Sequence, residues 1–69
     1  MIGITEVWKY KIIEILKSNP QGLTISDIKD IAKTTRHTTS VVLAELKGEG
    51  RISIRQVGMA KLHYWREIE

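Results

Sequence analysis

The chain has no cysteine and a single proline in its 69 residues. Without cysteine there is no disulfide, iron–sulfur cluster, thiolate metal site or cysteine nucleophile. The only histidines, His37 and His63, are too far apart for a zinc-ligand spacing or an HExxH helix. Neither a metal nor a cofactor is expected. Long hydrophobic runs are also missing: the longest, Val41–Ala44, is far below the ~20 residues that span a bilayer. Met1–Ile4 has no basic flank followed by a long apolar stretch, so no secretory leader is read there. No membrane partner is expected, and the expected location is cytoplasmic. No GxxxxGK or GxGxxG spacing occurs, so Gly48, Gly50 and Gly58 read as backbone punctuation and not as a phosphate cradle.

What is present is 42% hydrophobic and 28% charged content, the balance of one small domain over residues 1–69. At this length only about 60% of the unfolded chain's surface can be buried, so the core must be small. Eleven Lys and Arg against eight Asp and Glu leave a net charge of +3. That excess is segregated. From Gly50 to Arg66 the chain carries Arg51, Arg55, Lys61 and Arg66 with no acidic residue, which predicts a positive surface at one end.

Thr5 before Glu6 reads as an N-cap, and Trp8, Ile12, Ile15 and Leu16 recur at helical spacing up to Lys17. Ser18–Gly22 is a breaker cluster, and Leu23–Ile25 a short extended piece. Ser26 and Asp27 restart a helix that presents Ile28, Ile31 and Ala32 on one face as far as Lys33. Thr34–His37 is the expected turn. Thr39, Val42, Leu43 and Leu46 mark a third helix, closed by a glycine within Lys47–Gly50. Beyond Arg51 the period changes to alternation: Ile52 and Ile54 face one way, Ser53 and Arg55 the other. A loop over Gln56–Ala60 then joins this strand to Lys61–Trp65, completing a hairpin.

This order of a helix pair, a tight turn, a third helix and a basic hairpin resembles the winged helix-turn-helix family of DNA-binding domains. The residues that carry the resemblance are Leu23–Ile28 leading into Ile31-Ala32, then Thr38–Leu46, then Lys47–Ile52. The chain resembles a compact archaeal or bacterial regulator, and Val57–Trp65 is similar to the wing of archaeal winged-helix regulators and, more loosely, to that of the meiotic homologous-pairing proteins. Between Lys33 and Thr38 the chain departs from the pattern, where many relatives have a longer turn with a glycine. The resemblance implies an α+β fold: three helices, a short strand and a C-terminal β-hairpin wing. It also implies binding to double-stranded DNA with the third helix in the major groove, as in a transcriptional regulator.

If Thr39, Val42, Leu43 and Leu46 face the core, then Arg36, His37, Thr38, Ser40, Val41 and Ala44 face outward. Arg36 is the strongest reader, because a guanidinium donates two hydrogen bonds to guanine. Thr38 and Ser40 suit a base edge or a phosphate, and Val41 suits a thymine methyl. Thr34, Thr35 and Thr38 also read as helix caps, and His37 as a solvated imidazole. In the hairpin, pairing Ile54 with Leu62 and Ile52 with Tyr64 sets Arg55 opposite Lys61. That like-charge pair would be relieved by a phosphate. Arg51, Arg55 and Lys61 are therefore candidate phosphate contacts, with Gln56 at the tip. The competing reading is that these charges only protect a sheet edge. Trp8, Tyr64 and Trp65 read as core or, alternatively, as a stacking platform for single strands.

An enzyme is not expected. Asp27, Asp30, Glu45 and Glu49 lie on helix faces or ends where capping and solvation account for them, and the chain leaves little room for a substrate pocket. A winged-helix module that binds protein is the alternative, favoured by small apolar residues at Val41 and Ala44. Val7 and Ile13 fall outside the first helix's main stripe, and Met1–Ile4 is apolar. These residues either form a homodimer contact or, for Met1–Ile4, fold back over the core.

Overall fold

The computed structural model describes residues 4–66. Helix α1 (Ile4–Ser18) is followed by α2 (Ile25–Ala32) and α3 (Arg36–Gly48), then by strands β1 (Ile52–Val57) and β2 (Ala60–Trp65), which form one antiparallel pair. Three helices and a C-terminal hairpin make an α+β layout, that of a winged helix.

Helix α1 begins at Ile4, so Thr5 lies inside its first turn and is not its cap. Ile12 and Leu16 are fully buried, with Trp8 and Ile15 packed beside them. Ile13, expected outside the stripe, belongs to the core at 7% exposure. The reason is tertiary: α2, α3 and β2 all pack on α1, so its buried arc is wider than one helix neighbour would require. Val7 and Tyr10 do face solvent. The expectations for Met1–Gly3 fall outside the described residues. At the other end, the Asn19 side chain donates to the Ile15 carbonyl at 2.7 Å and stops the helix.

Helix α2 starts one residue before the Ser26–Asp27 signal because Thr24 is its cap. The Thr24 hydroxyl accepts from the Asp27 N–H, and the Asp27 carboxylate accepts from the Thr24 N–H, a closed capping box. Ile28 and Ala32 are buried and Ile25 packs against the core, whereas Ile31 is 48% exposed. The stripe thus follows positions 25, 28 and 32, and Ile31 lies to one side of it.

The connection to α3 is shorter than the expected Thr34–His37. Lys33 takes the left-handed conformation, with φ 59° and ψ 49°, and turns the chain at once. A glycine usually holds such a position. Thr35 then caps α3, accepting the Thr38 N–H at 3.1 Å, so Arg36 and His37 are its first helical residues. Thr39, Val42, Leu43 and Leu46 are all buried. Thr39 is the polar member, and its hydroxyl donates to the Thr35 carbonyl at 2.9 Å. Gly50, at φ 73°, closes the helix, and the Arg51 N–H reaches back to the Leu46 carbonyl.

The extended piece after α1 reduces to a single bridge, Leu23 to His63, because Ile25 is already helical. The hairpin register also differs from expectation by one residue. Ile52 pairs with Trp65, Ile54 with His63, Arg55 with Leu62 and Gln56 with Lys61. Its turn is only Gly58-Met59, with Gly58 at φ 62° and Met59 at negative φ, the pattern of a type II′ turn. A two-residue turn pairs Val57 with Ala60, and every rung below follows from that. Directly paired residues share a face, so Ile52, Ile54, Gln56, Lys61, His63 and Trp65 point inward while Arg55, Leu62 and Tyr64 lie on the other face.

Candidate nucleic-acid interface

The first turn of α3 stands free of the core. Arg36, His37, Ser40, Val41 and Ala44 are exposed, as their spacing predicts, whereas Thr38, also expected to face outward, is half-buried. The Thr38 hydroxyl accepts from the Thr35 hydroxyl at 3.0 Å, and of the candidate caps Thr34, Thr35 and Thr38 it is Thr35 that caps the helix. Arg36 and Ser40, one turn apart, share a row on the helix.

That row forms one wall of a groove of about 520 Å³. The start of α2 supplies Thr24, Ile25 and Ser26; the hairpin supplies Lys61 and His63 from its inner face and Met59 and Ala60 from the turn end. Arg36, Ser40 and Lys61, distant in sequence, therefore converge on one surface whose lining includes no carboxylate. Sequence reasoning missed Thr24, Ser26, Met59 and His63. Their only local signal was the [ST]-x-x-[DE] capping pattern Thr24–Asp27.

Other candidates lie elsewhere. Arg55 projects from the opposite face of the hairpin, across from Leu62, so it does not oppose Lys61 as expected. On opposite faces the two cations do not stand across from each other, and no repulsion between directly paired charges calls for a phosphate there. Gln56 takes the place opposite Lys61, and its amide donates to the Gly58 carbonyl at 3.3 Å, bracing the turn. Arg51 is at the base of the hairpin and is paired there: its Nε lies 3.2 Å from Glu49 Oε1. Glu49 also accepts from the Lys9 ammonium at 2.6 Å, joining α1 to the end of α3. This hydrogen bond, helped by the charges of Lys9 and Arg51, holds the Glu49 carboxyl below its ordinary value against some desolvation. The same bond to Glu49 raises Lys9. Arg36 and Lys61 thus face the groove and Arg55 the opposite side of the hairpin, while at the base Arg51 is matched by an acid.

Trp8 and Trp65 pack against the core, each with a lysine ammonium about 5 Å from its ring centroid, at 5.1 Å for Lys11 and 5.2 Å for Lys17. Tyr64 is half-buried against Gly22. Rings covered in this way do not form a continuous platform for bases. Among the described residues no group of His, Asp and Glu is placed to hold a metal ion, and no helix is long and apolar enough to cross a membrane.

These features define a small α+β domain of winged-helix layout, with a groove free of lining carboxylates beside the start of its third helix. No family model matches the chain, and no curated protein matches it.

Proposed function

We propose that this chain is a member of the winged helix-turn-helix family and binds double-stranded DNA as a cytoplasmic transcriptional regulator. The observation that carries the reading is the convergence of Arg36, Ser40 and Lys61 on one groove without a carboxylate. In this reading α3 enters the major groove, Arg36 donates to base edges, and Ser40, Thr38, His37 and Val41 complete the reading face. Lys61 and Arg55 hold phosphates, Gln56 steadies the turn between them, and Arg51 contributes from the hairpin base. The function requires neither a small-molecule substrate nor a cofactor.

Titration of labelled protein with a mixed-sequence duplex at low and moderate salt tests this, with backbone amide shifts followed residue by residue. Shifts are expected over Arg36–Val41 and Arg51–Lys61, weakening as salt rises. Lys61→Ala should weaken all duplexes alike and reduce the salt slope by about one unit. Against a selected preferred site, Arg36→Ala should lose about 1–3 kcal/mol of discrimination at one base pair. Equal losses on every sequence for Arg36→Ala would remove it as a reader. Silence at low salt would favour the second reading, a protein-binding winged helix, which the 40% exposure of Val41 beside exposed Ala44 supports.

A homodimer through α1 belongs to the same proposal and rests on the exposure of Val7 and Tyr10, since Ile13 is occupied in the core. Such a dimer would set two α3 helices on half-sites about one DNA turn apart. Sedimentation equilibrium should then give a dimer that Tyr10→Glu disrupts; a monomer at high protein concentration would rule it out.

A further inference from the structure

The hairpin ends in the most exposed apolar side chain of the described residues. Met59 is 102% exposed, Val57 is 53% exposed, and Gly58 and Ala60 complete a tip with no polar side chain. An apolar tip has no side chain that grips a phosphate, and the observed register shows what surrounds it. Arg55 and Lys61 stand just behind the tip, one on each face of the ribbon, because Arg55 pairs with Leu62 and Lys61 with Gln56. Two cations on opposite faces cannot hold one phosphate between them. They can hold one phosphate each on the two walls of a groove that the ribbon enters. With only Gly58 and Ala60 between Val57 and Lys61 apart from the projecting Met59, the tip is the narrowest part of the ribbon, and a minor groove about 6 Å wide would admit that part alone.

We infer that the wing tip is an apolar wedge. Arg55 and Lys61 pair with the phosphates of opposite strands, and Met59, supported by Val57, presses on a base step at the floor of the minor groove and partly unstacks it. Apolar side chains at such a position kink duplexes toward the major groove, the side on which α3 would dock. The tip is built to bear this load. Its turn has only two residues, with Gly58 at φ 62°, and the Gln56 amide donates to the Gly58 carbonyl from within the hairpin. Pyrimidine–purine steps, which unstack most easily, are the predicted sites.

This inference rests on the DNA-binding reading and is tested so that the two fail separately. Duplexes carrying 2-aminopurine in place of single adenines, tiled along a bound site, report unstacking as a rise in fluorescence. Wild-type protein should raise it severalfold at one step, and Met59→Leu should do the same. Met59→Ala should abolish the rise while changing affinity less than about tenfold, because the unstacking cost disappears with the contact. Salt-dependent binding with no rise at any step, or an equal rise with Met59→Ala, overturns the wedge and leaves DNA binding intact. Absence of binding to any duplex at low salt overturns both, and the exposed tip would then be sought on a protein surface.

Discussion

Gly22→Ala should cost about 3 kcal/mol, because one added Cβ incurs two penalties. Gly22 sits at φ 94°, where an L-residue is strained by about 1–2 kcal/mol. The new carbon would also lie 2.6 Å from the ring of Tyr64, a contact relieved only by displacing a half-buried aromatic, at about 1–3 kcal/mol. A chain of this size has a total stability of about 3–10 kcal/mol. The variant should therefore melt about 10–25 °C lower. In a Tyr64→Ala background the steric part vanishes, and the same substitution should cost only the strain of about 1–2 kcal/mol. A cost below about 1 kcal/mol in the wild-type background would mean that the ring swings aside freely and that this contact does not fasten the hairpin to the loop after α1.

His63→Ala should cost a similar amount, about 3 kcal/mol, and should be felt at the hairpin's attachment. His63 is buried, at 6% exposure, and is the middle rung between Ile54 and Leu23. Its backbone exchanges both hydrogen bonds with Leu23, and its Nδ1 lies 3.0 Å from the Leu23 carbonyl. A carbonyl only accepts, so Nδ1 carries the proton. Removing the ring leaves a cavity at the floor of the groove and deletes that bond. His63→Phe separates the two effects: it keeps most of the volume, and the Leu23 carbonyl still accepts the backbone N–H at 2.8 Å, so the loss should be only about 1 kcal/mol. Amide hydrogen exchange at Leu23, whose N–H is held by the His63 carbonyl, should accelerate in His63→Ala well beyond the change at Val42 in the core. Uniform acceleration at both positions would instead make the hairpin part of one cooperative unit with the helices.

These effects show how a fold with so little core positions a binding surface. The hairpin is fastened to the rest of the fold along its lower half, through Ile52, His63, Tyr64 and Trp65. Its upper half, from Ser53 to Lys61, is exposed throughout. Groove geometry therefore depends on few contacts, and a change at Gly22 or His63 should disturb the distance between Lys61 and Arg36 before it disturbs either side chain directly.

Much of α3 was legible because a helix's inner and outer faces follow from spacing alone: four residues at Thr39, Val42, Leu43 and Leu46 define the buried side and leave the candidate reading face outside. Helix starts were displaced by one or two residues, because Thr24 and Thr35 act as caps in competition with equally plausible neighbours, Ser26 and Thr34. Ile13 and Ile31 exchanged expected environments for another reason. How wide an apolar arc is buried depends on how many elements pack on the helix, which its own sequence does not record.

The sequence by itself determined the element order, the inner face of α3, the alternation of β1 and the basic character of the hairpin, since each follows from local spacing or composition. Only the tertiary structure decided the register between β1 and β2. Alternation assigns faces within each strand, but the pairing is set by turn geometry, here a two-residue turn with Gly58 at positive φ. One residue of register moved Arg55 and Lys61 to opposite faces, carried His63 inward onto Leu23, and brought Lys61 to the groove shared with Arg36.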